Sequence, residues 1–289
     1  MRRFLLFAAA VSGVLLTAPP AHAGGTTAAV PAAAATALLN APATEHWDRP
    51  GPHQVSVMHE TVTTFYYPSD IAASPTRYPV IIWGNGTFAT PSVYDALLRH
   101  WASHGFIVAA ANTIAANSGT AMRAGIDRLT VLDGTAGSPF RGKVDLARVG
   151  ATGHSQGGAG AVNASADGRV TTTVPIQPGP LAATSAVRGP ALYLAGQNDT
   201  IVRPAWVRAF YTATTQVPAI YAELAGATHL TAVGDGGGFR GITTAWFRYH
   251  LAGDQSARSM FYGPGCGICS DSAWSKVERN AKALQIPGS

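Results

Sequence analysis

Five residues, Gly153-His154-Ser155-Gln156-Gly157, constrain the fold of this chain more than any other stretch. They form a G-x-S-x-G pentapeptide between a short apolar run, 149–152, and a run of small residues, 157–162. The first suits a buried strand and the second a helix packed tightly on a sheet. A serine on such a sharp strand-to-helix turn presents its hydroxyl outward, and the glycines two before and two after it remove Cβ atoms that would collide there. The pentapeptide therefore names a candidate nucleophile, Ser155, and predicts that its partners lie along the same edge of a sheet.

The surrounding pattern supports a sheet of that kind. Residues 55–62 and 64–67 read as an opening hairpin, and 79–83, 105–110, 149–152, 172–176, 191–194 and 220–224 read as further strands. Helical spacing falls between them, over 91–104, 120–132, the stretch after Ser155, 205–212 (opened by Pro204) and 243–251. Alternation of strand and helix predicts an α/β fold: a mostly parallel, doubly wound sheet with helices on both faces. Sites in such sheets sit beyond the carboxyl ends of the strands. With 289 residues, 47% of them hydrophobic, one domain can build a sizeable core.

The amino terminus reads differently. Arg2 and Arg3, an apolar run over 4–16 and Ala21-His22-Ala23 predict a secretory signal peptide over 1–23, too short to span a bilayer. Residues 24–43, rich in Ala, Thr, Gly and Pro, are expected to form a flexible leader, with a single catalytic domain over 44–289. A secreted, extracellular protein without stable membrane insertion is expected. The formal charge is +5, or +3 without Arg2 and Arg3, and it is scattered with no basic run, so nucleic acid is not an expected partner. In an exported chain, Cys266 and Cys269 are expected to close a tight disulfide loop. Their flanks read as loop, unlike a redox site, and two thiols cannot complete a zinc site, so no metal is expected. The glycine-rich stretch 234–238 lacks a phosphate-loop pattern and is expected to be a mobile loop.

A serine hydroxyl needs an imidazole to take its proton and an acid to orient that imidazole. On a nucleophile turn of this type the order along the chain is Ser, then Asp or Glu, then His. His229 follows the strand at 220–224, on the correct edge, whereas His250 falls inside the closing helix and is expected on its surface. His154 neighbours the nucleophile, but adjacent side chains diverge at the turn, so a supporting role is expected. Asp199 follows the strand at 191–194. Its rivals fit less well: Asp167 lies in a turn, Glu223 within a strand, and Asp235 after His229. The oxyanion needs two amides: that of Gln156, and one from the loop Gly84-Asn85-Gly86-Thr87-Phe88, with Thr87 preferred and Phe88 next.

Four segments, Trp101-Ala-Ser-His-Gly-Phe-Ile-Val108, Gly153-His-Ser-Gln-Gly-Gly158, Gln197-Asn-Asp-Thr-Ile201 and Gly226-Ala-Thr-His229, together resemble the bacterial cutinase-like lipases and polyester hydrolases, over about residues 78–251. The resemblance implies an α/β-hydrolase fold without a lid domain, Ser155, Asp199 and His229 as the triad, and Thr87 and Gln156 as oxyanion donors. It also implies no cofactor, and cleavage of carboxylic esters in a shallow groove. The chain departs from that family at four places. Gln156 stands where a methionine is common, Thr87 where an aromatic is frequent, and Pro178-Gly179-Pro180 where a tryptophan is frequent. Those aromatics grip aromatic acyl groups; Phe88 or Trp83 could replace them, and Phe88 is the expected substrate contact. The family's disulfide also spans more residues than Cys266–Cys269. The expected function is a secreted, monomeric serine carboxylester hydrolase acting on an ester or polyester through an acyl-enzyme. A serine peptidase or amidase on the same scaffold stays open, although no inserted cap is visible. So does a non-catalytic secreted binding protein, although an intact triad argues against it.

Overall fold

The computed structural model describes residues 45–288; the expected signal peptide and leader lie outside the described residues. Strands β1 (Val55–His59) and β2 (Thr63–Pro68) form the expected antiparallel hairpin. β2 continues antiparallel onto β4 (Ile107–Ala111). β3 (Tyr78–Gly84), β5 (Val144–His154), β6 (Val170–Ile176), β7 (Ala191–Gly196) and β8 (Ala219–Leu224) run parallel with β4, and β9 (Trp274–Arg279) closes the far edge antiparallel to β8. The order is β1-β2-β4-β3-β5-β6-β7-β8-β9. This is the α/β, mostly parallel doubly wound sheet that the strand–helix alternation predicts.

Period-two alternation assigns each strand residue to a layer. Ile81, Trp83, Val108, Leu192 and Leu194 face the side covered by α2 (Asp95–Ser103) and α6 (Arg240–His250), with the short α1 (Glu45–Asp48) packed on α6. Val80, Ile82, Ile107 and Ala109 face α3 (Thr120–Gly134) and α4 (Gln156–Ala164). Further along that second face, Tyr193, Ala195 and Tyr221 meet Val207 and Tyr211 of α5 (Pro204–Ala213). Every one of these strand residues is fully or almost fully buried, as expected where both faces of a parallel sheet carry helices.

The strand order reverses at β3, which lies between β4 and β5. Chain leaving β3 turns one way to β4 and later returns on the other side as β5, which opens a crevice at the carboxyl ends. Pairing of Trp83 with Thr152 and of Gly84 with Gly153 sets the loop after β3 beside the nucleophile turn.

The structure differs from the sequence reading in places. β5 begins five residues earlier than expected, carrying Asp145 and Arg148 through a register shift at its polar start. β9 was not anticipated: Ser275, Lys276, Glu278 and Arg279 hide a strand signal, and such charge is how a sheet edge resists pairing with another chain. The stretch 234–238, expected to be a mobile loop, is tied to its neighbours by hydrogen bonds. Gly234 exchanges backbone hydrogen bonds with Val93 and Leu97, and Arg240 pairs with Asp235 at 2.7 Å. His250 is not a free helix-surface residue but a half-buried one: its Nε2 meets the Tyr262 hydroxyl at 3.0 Å between Trp246 and Tyr249, and burial pushes its imidazole down to about 3. Cys266 and Cys269 form the expected disulfide, although the segment between them is one helical turn, α7 (Gly267–Ser270), and not open loop.

Candidate active site

Ser155 occupies the turn between β5 and α4 with φ 56° and ψ −118°, a conformation that side-chain-bearing residues avoid. Backbone bonds from two neighbouring segments hold it there. Its N–H donates to Ile176 O at 3.0 Å, and its carbonyl accepts from Ala159 N and Gly179 N. The close approach of α4 to β3 also requires glycine: a Cβ at Gly157 would lie 2.0 Å from Gly84 O.

His229 follows β8 and Asp199 follows β7, so three loops at one sheet edge bring the expected partners together. Ser155 Oγ lies 2.9 Å from His229 Nε2, and His229 Nδ1 lies 2.8 Å from Asp199 Oδ2. Asp199 Oδ1 accepts the backbone N–H groups of Ile201 and Val202 at 2.9 and 2.8 Å. Its carboxylate is fully buried. It orients Nδ1–H of His229 toward itself and leaves Nε2 free to accept the serine proton. The rival acids are engaged elsewhere: Asp167 with Arg169, Glu223 with Tyr221 and Ser275, and Asp235 with Arg240.

His154 supports this arrangement, as expected. Its Nδ1 accepts from the Tyr94 hydroxyl at 2.9 Å and its Nε2–H donates to the backbone oxygen of His229 at 2.9 Å. Burial first, then the neighbouring His229, pushes the His154 imidazole down to about 4, so it stays neutral and acts as a strut. Gly86 N–H donates to the Tyr94 oxygen, which ties the same network to the loop after β3. Sequence reading missed Tyr94, a core-like aromatic at the start of a helix with no local signal of a polar task. It also missed Gln177, which donates to Asp199 Oδ2 at 2.7 Å and to Thr228 O at 3.0 Å.

The loop after β3 is shaped by Asn85, buried and fully engaged. Its Oδ1 accepts from the Trp83 indole at 2.8 Å, and its Nδ2 donates to the carbonyls of Ala111 and Thr113. Thr87 and Gln156 meet across the crevice, with Gln156 Nε2 donating to Thr87 Oγ1 at 3.2 Å. The Phe88 N–H is directed to Ile114 O at 3.4 Å, which removes Phe88 from contention as an oxyanion donor. Phe88 itself is 81% exposed at φ 61°. Trp83 is wholly buried, so it cannot serve as a replacement substrate contact. Apolar side chains also stand exposed on the other loops of this edge: Ile114 after β4, Leu181 after β6, Ile201 after β7 and Leu230 after β8.

A family model described as PETase, PET hydrolase-like, matches residues 29–279. The chain belongs to the PET hydrolase-like family. It is also similar to cutinases of Thermobifida. Cutinase cut1 of Thermobifida fusca is 30% identical over 247 residues, 79% of this chain and 74% of that protein. Cutinase 2 of Thermobifida cellulosilytica is 31% identical over 172 residues, 57% of this chain and 64% of that protein. For a member of the PET hydrolase-like family, the crevice here is polar at Gln156 and Thr87 and open at Gly179. The backbone of Gly179 lies against Ser155 and Gln156 where a larger side chain would form a wall. Among the described residues, no cluster of side chains could hold a metal ion and no helix is long and apolar enough to cross a membrane.

Proposed function

We propose that this protein is a secreted carboxylic-ester hydrolase that cleaves apolar esters and polyesters through an acyl-enzyme on Ser155. The continuous line Ser155–His229–Asp199, with contacts of 2.9 and 2.8 Å, carries this reading. Ser155 Oγ attacks the ester carbonyl while His229 Nε2 takes its proton. The oxyanion that forms sits against the backbone N–H groups of Gln156 and Thr87, neither of which has a partner among the described residues. Collapse expels the alcohol, which leaves with the proton held by His229. Water, deprotonated by the same imidazole, then attacks the acyl-enzyme, and Ser155 recovers its proton as the acid departs. Asp199 keeps its bond to Nδ1–H and stabilises the imidazolium that forms.

The substrate is apolar and aliphatic in its acyl part. Phe88, Ile114, Leu181, Ile201 and Leu230 form an exposed apolar rim suited to a water-insoluble ester. No aromatic wall stands at Thr87 or Gly179 to stack on a terephthalate ring. The protein acts as a monomer outside the cell. Hydrolysis of p-nitrophenyl butyrate, octanoate and an insoluble aliphatic polyester film, set beside an aromatic polyester film and a peptide p-nitroanilide, tests the assignment. Ester turnover that disappears in Ser155→Ala is expected. Amide turnover exceeding ester turnover, or activity that survives the substitution, overturns it.

A further inference from the structure

We infer that Gln177 is a positioning residue of this site, a fourth member of its hydrogen-bonded line that acts through Asp199 and the backbone carrying His229; the inference rests on the proposed triad. Gln177 follows β6, outside all three segments that supply Ser155, Asp199 and His229. Its side chain is completely buried. One amide nitrogen faces two acceptors, Asp199 Oδ2 at 2.7 Å and Thr228 O at 3.0 Å. The orientation is fixed by chemistry, because the flipped amide would set its oxygen against a carboxylate and a carbonyl. Asp199 Oδ2 is the same oxygen that accepts His229 Nδ1–H, and Thr228 is the residue before His229. A single NH2 group thus links the acid to the chain that presents the base.

The backbone is arranged for this contact. Gln177 has φ 46°, in the left-handed region that a side-chain-bearing residue avoids, while its N–H donates to Leu194 O at 2.8 Å. Gly196 leaves the space the amide occupies, since a Cβ there would approach Gln177 Nε2 to 2.8 Å. The titratable groups facing the pair are His229 and His154. His154 presents its ring to His229 at 4.7 Å between centroids.

Two consequences follow. Sharing of Asp199 Oδ2 between Gln177 and His229 spreads the carboxylate charge and limits how strongly it holds an imidazolium. The bond to Thr228 O keeps Nε2 of His229 aimed at Ser155. Loss of the donor therefore lowers kcat and moves the acid limb of the pH–rate profile to higher pH, because His229 keeps its proton longer. Substrate contacts are untouched, so KM is preserved.

Gln177→Met keeps the volume and removes the donor. Its kcat and KM on p-nitrophenyl butyrate are measured from about pH 4 to 9, normalised to active sites titrated with an organophosphonate. The expected result is a kcat lower by about tenfold, KM within about twofold, and an acid limb displaced upward in pH. An unchanged kcat, or a loss with an unmoved acid limb, overturns the inference and leaves Gln177 as packing alone. Should Gln177→Met fail to fold, NMR of the side-chain amide protons of Gln177 in the wild-type protein decides. They should shift over the same pH interval in which activity rises, and indifference to that interval overturns the inference. Ester turnover that persists in Ser155→Ala is a separate result, which sinks the triad and not the Gln177 contact.

Discussion

Substitution of Gly157 by alanine tests the coupling between fold and chemistry most directly. The new Cβ would stand 2.0 Å from Gly84 O, 2.2 Å from Gly84 C and 2.6 Å from Asn85 O, all backbone atoms with no rotamer through which to escape. To reach ordinary contact at 3.4 Å, α4 and the end of β3 must separate by roughly 1.4 Å at this point. Overpacking of a close interior contact costs about 1–3 kcal/mol, which lowers Tm by about 2–6 °C in a domain of this size. The kinetic effect is larger than stability alone implies. Gly84 and Asn85 lead into Thr87, and Gln156 precedes Gly157, so the same separation pulls the two oxyanion amides apart. A displacement near 1 Å at reacting groups costs about 100-fold in rate. Steady-state kinetics on p-nitrophenyl butyrate, set beside a thermal melt, should show kcat down about 100-fold with KM changed about threefold at most. A Gly157→Ala protein with wild-type kcat and Tm would show that the helix and strand slide apart freely and that this contact does not couple fold to chemistry.

Other outcomes follow from the same contacts. In Asp199→Asn, an amide replaces the buried acceptor of His229 Nδ1–H and favours the wrong tautomer, so kcat should fall about 10⁴-fold with the fold intact by circular dichroism; a loss under about tenfold would reject the relay. Phe88→Gly relieves a bulky residue at φ 61° yet removes an exposed apolar surface. Tm should stay within about 3 °C while kcat/KM on long-chain esters falls about 3- to 10-fold, and an unchanged chain-length profile would remove Phe88 from the substrate path. Burial depresses His100 and His154 to about 4 and His250 to about 3, from 6.5. The unfolded chain thus binds these protons first, so stability is full above pH 6.5 and is lost as pH falls toward those lower values, by up to about 1.4 kcal/mol per unit of depression. His100 Nε2 and His104 Nε2 hold the carbonyls of Trp47 and Arg49, so hydrogen exchange at Gly51 and His53 should accelerate in acid before global unfolding; simultaneous loss would contradict this.

The sequence carried much of this through short-range physics. Small residues around Ser155 fit only a tight strand-to-helix turn, and alternating apolar runs fit only a sheet covered on both faces. The Ser–Asp–His order then left Asp199 and His229 as the partners at the proper edge, because their loops directly follow predicted strands. Those inferences need periodicity, turn chemistry and chain order, all of which are local. What the sequence left open depends on which segments meet. Gln177 and Tyr94 carry no pattern of their own; they acquire a task only when the residue after β6 and the turn before α2 are packed beside the loop bearing Asp199 and the end of β5 bearing His154. Phe88 lost its oxyanion role because its amide found Ile114, a residue 26 positions away. His250 is a helix residue by sequence, and only the packing of Tyr262 against α6 covers part of it and engages its Nε2. Charged β9 forms because β8 offers an open edge, a condition no window of residues around 274–279 records. The candidate reacting groups were legible in local information, while their orientation, their hydrogen-bonding neighbours and the shape of the crevice depend on contacts between distant parts of the chain.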